Sequence, residues 1–372
     1  MPTQEATTTV LVTHYATTGP ADALERYLST RRACLVVVQH GFGPAAGDGT
    51  TVRVWRGGEL RRTRRFAWDA RVPGPMTWVK DALLSVAAPF WAGGRVDEYI
   101  GVDSLNAAAG LALRRVGLVR RVVFWTIDYA PRRFGSRSLN RLYLWLDRLC
   151  VERCSETWNL SPRMEDGRRQ RGVVGAQRVV PMGATARDPR APLSPHRLVH
   201  MGSLLEKQGV QVAIRALPLV RAHVADASLL VIGRGPYRPV LEVLTRELGL
   251  ADAVEFAGYV DDHEMVEDLI AESGVALATY DPSLVDFTYF ADPGKIKTYL
   301  AAGVPVVATD VPWSAGWLAS EGAGVIVDYE PEDVARGVLS LLGNADARTA
   351  AARLGALSDW SRVFDHAFGG TR

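Results

Sequence analysis

One short segment of this chain has residue types that suit the binding of an anion. Asp292 is followed by Pro293, Gly294 and Lys295, and then by a short apolar stretch. Proline and glycine suit the entry to a helix, so the pattern predicts a helix that begins here. The first turn of a helix presents unpaired N–H groups and partial positive charge, so a lysine there is unfavourable unless an anion lies beside it. We interpret the segment as a phosphate cradle with a lysine added.

The same segment resembles the donor-binding helix of nucleotide-sugar glycosyltransferases of the GT-B fold. Many of these enzymes carry Pro-x-Lys-x-x-Glu-Tyr-Leu-Ala-Ala-Gly-x-Pro-Val-Val at this point. Ten positions match, namely Pro293, Lys295, Tyr299, Leu300, Ala301, Ala302, Gly303, Pro305, Val306 and Val307. The resemblance implies an α/β protein of the GT-B class, with two Rossmann-like domains facing across a cleft. An ordinary helix–strand unit with an exposed lysine is the alternative.

A second match lies in the loop after a predicted strand at residues 197–201. The stretch 200–209 is similar to the loop that reads Gly-Arg-Leu…Lys-Gly in retaining glycosyltransferases of family 4 (glycosyl transferases group 1), where the Arg and Lys grip the donor diphosphate. Gly202 and Lys207 fit this pattern, whereas Ser203 stands where the arginine belongs. Two phosphates in a dry site need compensating cations, which Lys207 and Lys295 could supply. Lys207 could also be an exposed loop lysine.

Two further matches complete the predicted donor site. Residues 231–236 match the family's Val-x-Gly-x-Gly, whose glycines let the chain turn tightly over the nucleotide. Residues 255–260 match the next motif, and by resemblance the backbone near Tyr259 and Val260 faces the nucleobase. The residues that the resemblance assigns to donor binding are Gly202, Ser203, Lys207, Gly233, Arg234, Gly235, Tyr259, Val260, Asp292, Pro293, Gly294, Lys295 and Thr298.

The chain departs from the family at its pair of glutamates separated by seven residues. Phe290 and Thr298 occupy those positions, and the family's ribose-binding glutamate belongs at the second of them. Asp286 or Asp292 could substitute through a shift of the loop. Without the glutamates, ribose anchoring and a retaining outcome both lose support. Retention and inversion therefore both stay open.

Three residues of the first half are candidates for catalysis. Family members usually place a histidine after the strand that matches residues 121–127, and here Asp128 stands at that point. A carboxylate at the carboxyl end of a parallel strand lies at the ligand-binding edge, where it could act as a general base toward an acceptor hydroxyl. It could equally bind a sugar hydroxyl or have a structural role. His14, after the first predicted strand, and Asp103, after the strand at 99–102, are the other two candidates.

The composition is that of a globular enzyme with two domains. The chain has 372 residues, of which 48% are hydrophobic and 23% are charged, and its formal net charge is +2. We expect no nucleic-acid partner. Its three cysteines predict buried thiols and not a disulfide framework or a zinc site, and the chain contains no Asp-x-Asp metal motif. We therefore expect no metal and no cofactor beyond a UDP- or GDP-linked co-substrate.

The chain shows neither a signal-peptide pattern at residues 1–9 nor an apolar run of roughly 20 residues. We expect a cytoplasmic protein, with action at the inner face of the membrane as one interpretation. The apolar run at 82–92 could lie on a membrane surface, line an acceptor groove or form a core helix.

Arginines crowd the first half of the chain. They are Arg61, Arg62, Arg64, Arg65, Arg114, Arg115, Arg120, Arg121, Arg132, Arg133, Arg137 and Arg141. Solvated helix faces would explain them, as would a basic surface toward anionic lipid or a phosphorylated acceptor.

Alternating strand-like and helix-like segments predict parallel sheets with right-handed crossovers in both halves. We predict an acceptor domain at 1–185, a donor domain at 186–345 and a helical tail at 346–372, with a linker at 184–195. Predicted strands lie at 10–13, 34–39, 99–102, 121–127, 157–160, 197–201, 228–232, 254–257, 275–279 and 304–309.

The expected function is transfer of a sugar from a nucleotide-diphosphate sugar to a hydroxyl of a small-molecule, glycan or lipid-linked acceptor, as in glycan or glycoconjugate biosynthesis. A nucleotide-sugar epimerase on the same fold is one alternative, and a degenerate non-catalytic nucleotide-sugar-binding protein is another. The sequence predicts no oligomeric state.

Overall fold

A computed structural model of the protein describes residues 5–14, 19–41, 49–66, 74–188, 190–284 and 287–369. The chain divides into two compact units. The first comprises Met1–Pro181 with Phe364–Arg372, and the second comprises Met182–Val363. Among the described residues, no helix combines the length and the apolar character that a bilayer crossing requires.

The first unit is built on an eight-stranded sheet in its described part. Its strands are β1 (Glu5–Thr13), β2 (Arg32–His40), β3 (Thr50–Arg56), β4 (Glu59–Phe66), β5 (Val96–Val102), β6 (Val119–Thr126), β7 (Glu156–Asn159) and β8 (Gln177–Val179). They lie in the order β4-β3-β2-β1-β5-β6-β7-β8. The β2–β3 and β3–β4 pairs are antiparallel, and the other neighbours are parallel. The strand order therefore reverses between β1 and β5, which is where such sheets bind ligands at their carboxyl edge.

Helices accompany these strands. They are α1 (Pro20–Ser29), α2 (Gly74–Ala92), α3 (Ser104–Arg115), α4 (Arg137–Arg153) and α5 (Pro162–Arg169). The Val- and Leu-rich central strands are buried almost throughout, as expected for parallel strands covered on both faces. The three thiols, Cys34, Cys150 and Cys154, are buried and unpaired, as the sequence predicts.

The second unit contains a fully parallel six-stranded sheet. Its strands are β9 (Ser194–Met201), β10 (Ser228–Ile232), β11 (Val254–Gly258), β12 (Ser273–Ala278), β13 (Val306–Ala308) and β14 (Gly324–Ile326). Their order is β11-β10-β9-β12-β13-β14, which is the 3-2-1-4-5-6 order of a Rossmann fold. Its switch point lies between β9 and β12. The prediction of an α/β protein with two parallel-sheet domains is confirmed.

Helices also accompany the second sheet. They are α6 (Val210–Arg221), α7 (Arg238–Glu247), α8 (His263–Ala271), α9 (Gly294–Ala301), α10 (Ser314–Ser320), α11 (Pro331–Leu341) and α12 (Ala345–Leu357). The stretch predicted as a linker contacts this unit, because the Arg187 N–H donates to Ala301 O and Ala184 forms a bridge with Asp359.

The last helix, α13 (Trp360–Gly369), contains the boundary between the two units. Its Phe364 and Phe368 belong to the first unit, where Phe364 lies edge-on to Trp125 and Phe368 lies edge-on to Trp158. These aromatic contacts explain why the end of the chain packs with the first unit.

Candidate active site

Glycines pack the loops after β9, β10 and β11 tightly together. The Gly202 N–H donates to Ile232 O (2.9 Å), and the Gly233 N–H donates to Gly258 O (2.7 Å). Gly202 and Gly233 have φ of 140° and 137°, which side chains rarely adopt. A Cβ on Gly233 would lie 1.9 Å from Gly202 O. This corner of the sheet edge is therefore bare backbone, which suits a close approach by a ligand.

An exposed stacked pair borders this corner. The Arg234 guanidinium lies 4.3 Å from the ring centre of Tyr259, whose exposed fraction is 53%. Gly235 turns against Leu204, and a Cβ there would lie 2.2 Å from Leu204 O. Val260 follows Tyr259 and is half-buried. The predicted donor residues after β10 and β11 thus lie on one rim.

Helix α9 begins where the sequence predicts, at Gly294, with Pro293 as its extended N-cap residue (φ −65°, ψ 122°). Buried Tyr299 fixes the helix to the sheet. Its hydroxyl accepts from Met201 N–H (2.8 Å) and donates to Leu277 O (3.3 Å). Those two partners lie on β9 and β12, the strands that flank the switch point. The N-terminus of α9 is therefore held beside the carboxyl edge of the sheet.

Lys295 extends from the first turn of α9 to the loop after β9. Its ammonium donates to Gln208 Oε1 (2.6 Å) and lies 4.9 Å from the ring centre of Tyr280. Any Cβ at Gly202 would come within 3.1 Å of this ammonium. Burial of the amine lowers the pKa of Lys295 to about 7. A bound anion would restore the charge, because opposite charge favours the protonated form.

The two other loop candidates lie close in sequence to Gln208. Lys207 occupies a short 3₁₀ turn, Glu206–Gln208, and its ammonium lies 4.2 Å from the ring centre of Phe287. Ser203 is exposed on the same loop. Gln208 is a residue that motif comparison did not single out, although it directly follows Lys207.

His200 is a further residue that the sequence analysis did not assign. It lies on β9, is fully buried, and neither ring nitrogen has a hydrogen-bond partner among the described residues. Burial first, and then the charge of Lys295, hold its pKa well below its usual value. The imidazole is therefore neutral. A lone histidine inside a strand pattern gives no signal of such an environment.

Asp292 and Thr298 make contacts within the second unit. Asp292 Oδ2 accepts from Met182 N–H (3.0 Å) and lies 3.3 Å from Lys297 Nζ, while Oδ1 is buried without a partner among the described residues. Burial raises the pKa of this carboxyl group, against the charge of Lys297. Thr298 Oγ1 donates to Gly294 O (3.2 Å). Donor contact by Asp292 and Thr298 stays a prediction, and Asp286 lies outside the described residues.

In the first unit, Asp103 lies directly at the switch point between β1 and β5. It is the N-cap residue of α3 and has a left-handed φ of 69°, a strained conformation for a residue other than glycine. Burial raises the pKa of Asp103 to about 6 against the opposing charge of Arg133. The charges of Asp128 and His14 also act on it. The three catalytic candidates therefore lie at the same sheet edge.

His14, on the other side of the switch point, is held at both ring nitrogens. Its Nδ1 lies 2.9 Å from Asn106 Nδ2, which also donates to Val102 O (2.7 Å). Nδ1 must then be the acceptor, which leaves the proton on Nε2, 3.6 Å from Asp81 Oδ2. The lone pair that a general base needs is engaged in this arrangement.

Asp81, on α2, is the centre of a buried charged network that the sequence analysis missed. Its Oδ1 lies 2.8 Å from Lys80 Nζ and 3.1 Å from His40 Nδ1. His40 Nε2 is in turn 2.9 Å from Ser85 Oγ. Burial would raise the pKa of Asp81, but hydrogen bonds from His14, His40 and Lys80 outweigh it and hold the pKa far below its usual value. The carboxylate is therefore ionised.

Asp128 follows β6, one strand outward from Asp103. Its Oδ2 lies 3.8 Å from Arg133 Nη2, and its backbone carbonyl accepts from Arg133 Nη1 (2.5 Å). The side chain is 36% exposed, so it remains accessible to a ligand. Its role as a base or a sugar ligand stays a prediction. The described residues contain no group of three or more His, Cys, Asp or Glu side chains placed to hold a metal ion.

The family model described as "Glycosyl transferases group 1" matches residues 195–344, which contain the glycine loops, Lys207 and Lys295. The second unit is a glycosyl transferases group 1 domain. A relative from Mycolicibacterium smegmatis, "GDP-mannose-dependent alpha-(1-6)-phosphatidylinositol monomannoside mannosyltransferase", is 29% identical over 271 residues, 69% of this chain and 63% of that protein. The chain spans about 60% of the length of such curated relatives.

Solved structures with the same fold cover nearly the whole chain. The Anabaena Alr3699/HepE structure in complex with UDP has a TM-score of 0.67 at 14% identity, covering 97% of this chain and 98% of that one. A structure described as "Trehalose-6-phosphate from E. coli bound with UDP-2-fluoro glucose" has a TM-score of 0.72 at 13% identity, with the same coverage. At such low identity these likenesses show the fold. The fold that they share with this chain is GT-B.

Proposed function

We propose that the protein is a glycosyltransferase that moves a hexosyl group from a nucleotide-diphosphate sugar to a hydroxyl acceptor without a metal ion. The observation that carries this proposal is the position of Lys295. Its ammonium leaves the first turn of α9 and reaches Gln208 in the loop after β9, beside the bare backbone at Gly202. A cation, a helix N-terminus and close-packed glycines meet at the switch point of a Rossmann sheet, as a diphosphate site requires.

The chemistry follows from charge development in the donor. When the bond to the sugar breaks, the diphosphate gains negative charge, and preorganised cations and N–H groups stabilise that charge most in the transition state. Lys295 and the N-terminus of α9 supply such groups, and Lys207 lies one residue from the Gln208 partner. The proposed mechanism therefore needs no metal.

The names of similar proteins suggest which donor and which acceptor the enzyme uses. The relative from M. smegmatis is named for GDP-mannose and phosphatidylinositol monomannoside, and two of the neighbouring structures are described with UDP or a UDP-sugar. We therefore propose a UDP- or GDP-hexose donor and favour a lipid-linked acceptor among the small-molecule, glycan and lipid-linked classes. Action at the inner, cytoplasmic face of the membrane follows from that choice.

A thermal-shift panel of UDP-, GDP- and dTDP-sugars tests the donor site. We expect one nucleotide series to raise the melting temperature, and the same stabilisation in the presence of EDTA. No stabilisation by any of these nucleotides would contradict the proposal. Release of nucleoside diphosphate and the identity of the nucleotide sugar are then measured with and without acceptor. A transferase releases nucleoside diphosphate when the acceptor is present, an epimerase converts the donor to another nucleotide sugar without acceptor, and a binding protein does neither. The relatives and structures named above give the epimerase no support.

A further inference from the structure

Helix α2 buries its charged residues and exposes only apolar side chains over the part whose side chains the structure describes. From Val79 to its end at Ala92, the charged side chains are Lys80 and Asp81, which are 9% and 2% exposed and belong to the network around His40. Every side chain of this stretch that the structure leaves exposed is apolar. A surface helix normally shows the reverse pattern.

The exposed side chains of α2 form one stripe. They are Val79, Leu83, Val86 and Phe90, with exposed fractions of 61%, 66%, 39% and 74%. Their spacing of four, three and four residues places them on a single helix face. At 1.5 Å per residue the stripe is about 17 Å long. Contiguous exposed apolar side chains of this kind mark an interaction surface and not a random surface position.

A strongly basic strand lies at the neighbouring edge of the sheet. Strand β4 reads Glu-Leu-Arg-Arg-Thr-Arg-Arg-Phe and is exposed at every position up to Arg65. Its four arginines against one glutamate give a net charge of +3. Charged residues on an edge strand also block pairing with another sheet. That general use does not account for the apolar stripe beside it.

Two contacts connect the β3–β4 hairpin and the apolar helix, one from each strand. The ring of Phe66, at the end of β4, lies 5.9 Å from that of Trp91 on α2. Arg56, on the other strand of the β3–β4 hairpin, donates to Ala92 O at the end of α2 (3.3 Å). The stripe and the arginines therefore belong to adjoining surfaces of the first unit.

We infer that the α2 stripe and the β4 arginines together form a docking surface for an anionic lipid bilayer. Side chains such as Leu83 and Phe90 enter the boundary between headgroups and acyl chains, as an interfacial helix does. Arg62 and Arg64 of β4 bind lipid phosphates next to it, because they share the strand face of Phe66, which contacts α2. A bilayer is the partner whose chemistry matches both halves of the surface, because it is apolar at one depth and negatively charged at the adjoining depth. The surface lies outside the donor site and adds an anchoring point to the proposed place of action.

Co-sedimentation of the full chain with vesicles tests this surface, without donor or acceptor. We expect binding to vesicles of phosphatidylcholine mixed with phosphatidylglycerol, weaker binding to phosphatidylcholine alone, and a loss of binding at high salt. The variant Leu83→Gln/Phe90→Gln should abolish sedimentation. The matched control is Val174→Gln/Leu193→Gln, which changes two side chains of similar exposure, 73% and 76%, elsewhere in the chain.

A second pair of variants tests the charge. Replacing Arg62 and Arg64 by Gln should weaken binding about fivefold for each arginine removed. The control replaces the exposed residues Arg115 and Arg120 by Gln, which removes the same charge away from β4. All of these side chains are exposed, so the melting temperature should stay close to that of the parent chain.

Three results would overturn the inference. They are an absence of binding to the anionic vesicles, equal losses in the test and control variants, and a change of oligomeric state by the Leu83→Gln/Phe90→Gln variant with vesicle binding intact. The last result would assign the stripe to contact between copies of the chain. Because no nucleotide sugar is present, none of these results depends on whether the protein transfers a sugar.

Discussion

The ammonium of Lys295 lies 2.6 Å from the amide oxygen of Gln208, 87 positions away in the chain. The ammonium that the sequence predicts to bind a diphosphate is therefore hydrogen-bonded to a neutral amide. Among the described residues no carboxylate pairs with this ammonium, and its removal from water lowers the pKa of Lys295 to about 7. The pair therefore joins two predicted donor motifs and leaves a site that an anion can complete.

Substitution of Lys295 by Ala should weaken donor binding and slow transfer. The ammonium stabilises the leaving diphosphate, so we expect a loss of about 10- to 1,000-fold in kcat/KM. Steady-state kinetics with saturating acceptor measure the effect. Lys207→Ala should lose less, because its ammonium lies over Phe287 and can adapt. Near-native kcat/KM in the Lys295 variant would rule out the diphosphate assignment.

Binding of a nucleoside diphosphate should depend on pH through Lys295. In the free protein the pKa is about 7, and a bound diphosphate raises it by charge attraction. Below pH 7 the amine is already protonated, whereas above pH 7 binding must take up a proton. Affinity should then fall by up to about tenfold for each pH unit until the pKa of the complex is reached. Calorimetry in two buffers of different ionisation enthalpy detects this proton uptake, and Lys295→Met should lack it.

Gly233→Ala should disrupt the site by sterics and strain. Its Cβ would lie 1.9 Å from Gly202 O at a φ of 137°, so the two loops must separate. We expect loss of nucleotide binding and a decrease in the free energy of unfolding of at least about 1–3 kcal/mol. Gly249→Ala is the control, since its φ of 67° is also positive but its Cβ would meet nothing within 4 Å. Equal nucleotide affinity in the two variants would show that the loop packing is irrelevant to binding.

The sequence predicts the parallel architecture well because the core strands are runs of Val, Leu and Ile whose pattern is local. It also predicts the start of α9, since Pro293 and Gly294 encode it. The β3–β4 hairpin was not predicted, because the polar pattern of β4 lacks the alternation that marks a half-buried strand. The Asp81 network was also not foreseen. His14, His40 and Asp81 come from three separate elements, and only tertiary packing brings them together.

His200 should make the free energy of unfolding depend on pH. Burial and Lys295 lower its pKa in the folded protein below the usual value near 6.5. The stability that the neutral imidazole permits is therefore fully present above about pH 6.5 and is lost as the pH falls through the folded-state pKa. The expected slope is at most about 1.4 kcal/mol per pH unit. Urea unfolding between pH 5 and 8 measures this dependence. The free energy of unfolding should change less with pH for His200→Leu than for the parent chain, whereas His223→Gln, at an exposed position, should keep the pH dependence of the parent chain.

The last prediction concerns the general base of an inverting mechanism. Asp103 combines a position at the β1–β5 switch point, a strained φ of 69° and a pKa of about 6, so it can accept a proton near neutral pH. Asn has the shape of Asp, so the substitution adds no atoms to this strained backbone (φ 69°, ψ 160°). We therefore expect Asp103→Asn to lower kcat by about 10²–10⁴-fold with donor affinity intact.

The pH profile and a parallel variant identify the base. In the parent chain kcat/KM should fall as the pH drops through about 6, because Asp103 of the free protein becomes protonated. The Asp128→Asn variant is measured alongside Asp103→Asn, because the sequence makes Asp128 a candidate for the general base. A loss confined to Asp128→Asn would make that residue the base, and a loss confined to His14→Ala would implicate the imidazole. If none of the three variants slows transfer, a retaining mechanism without an enzymatic base is the better description, and the anomeric configuration of the product, read by NMR against the donor, decides it.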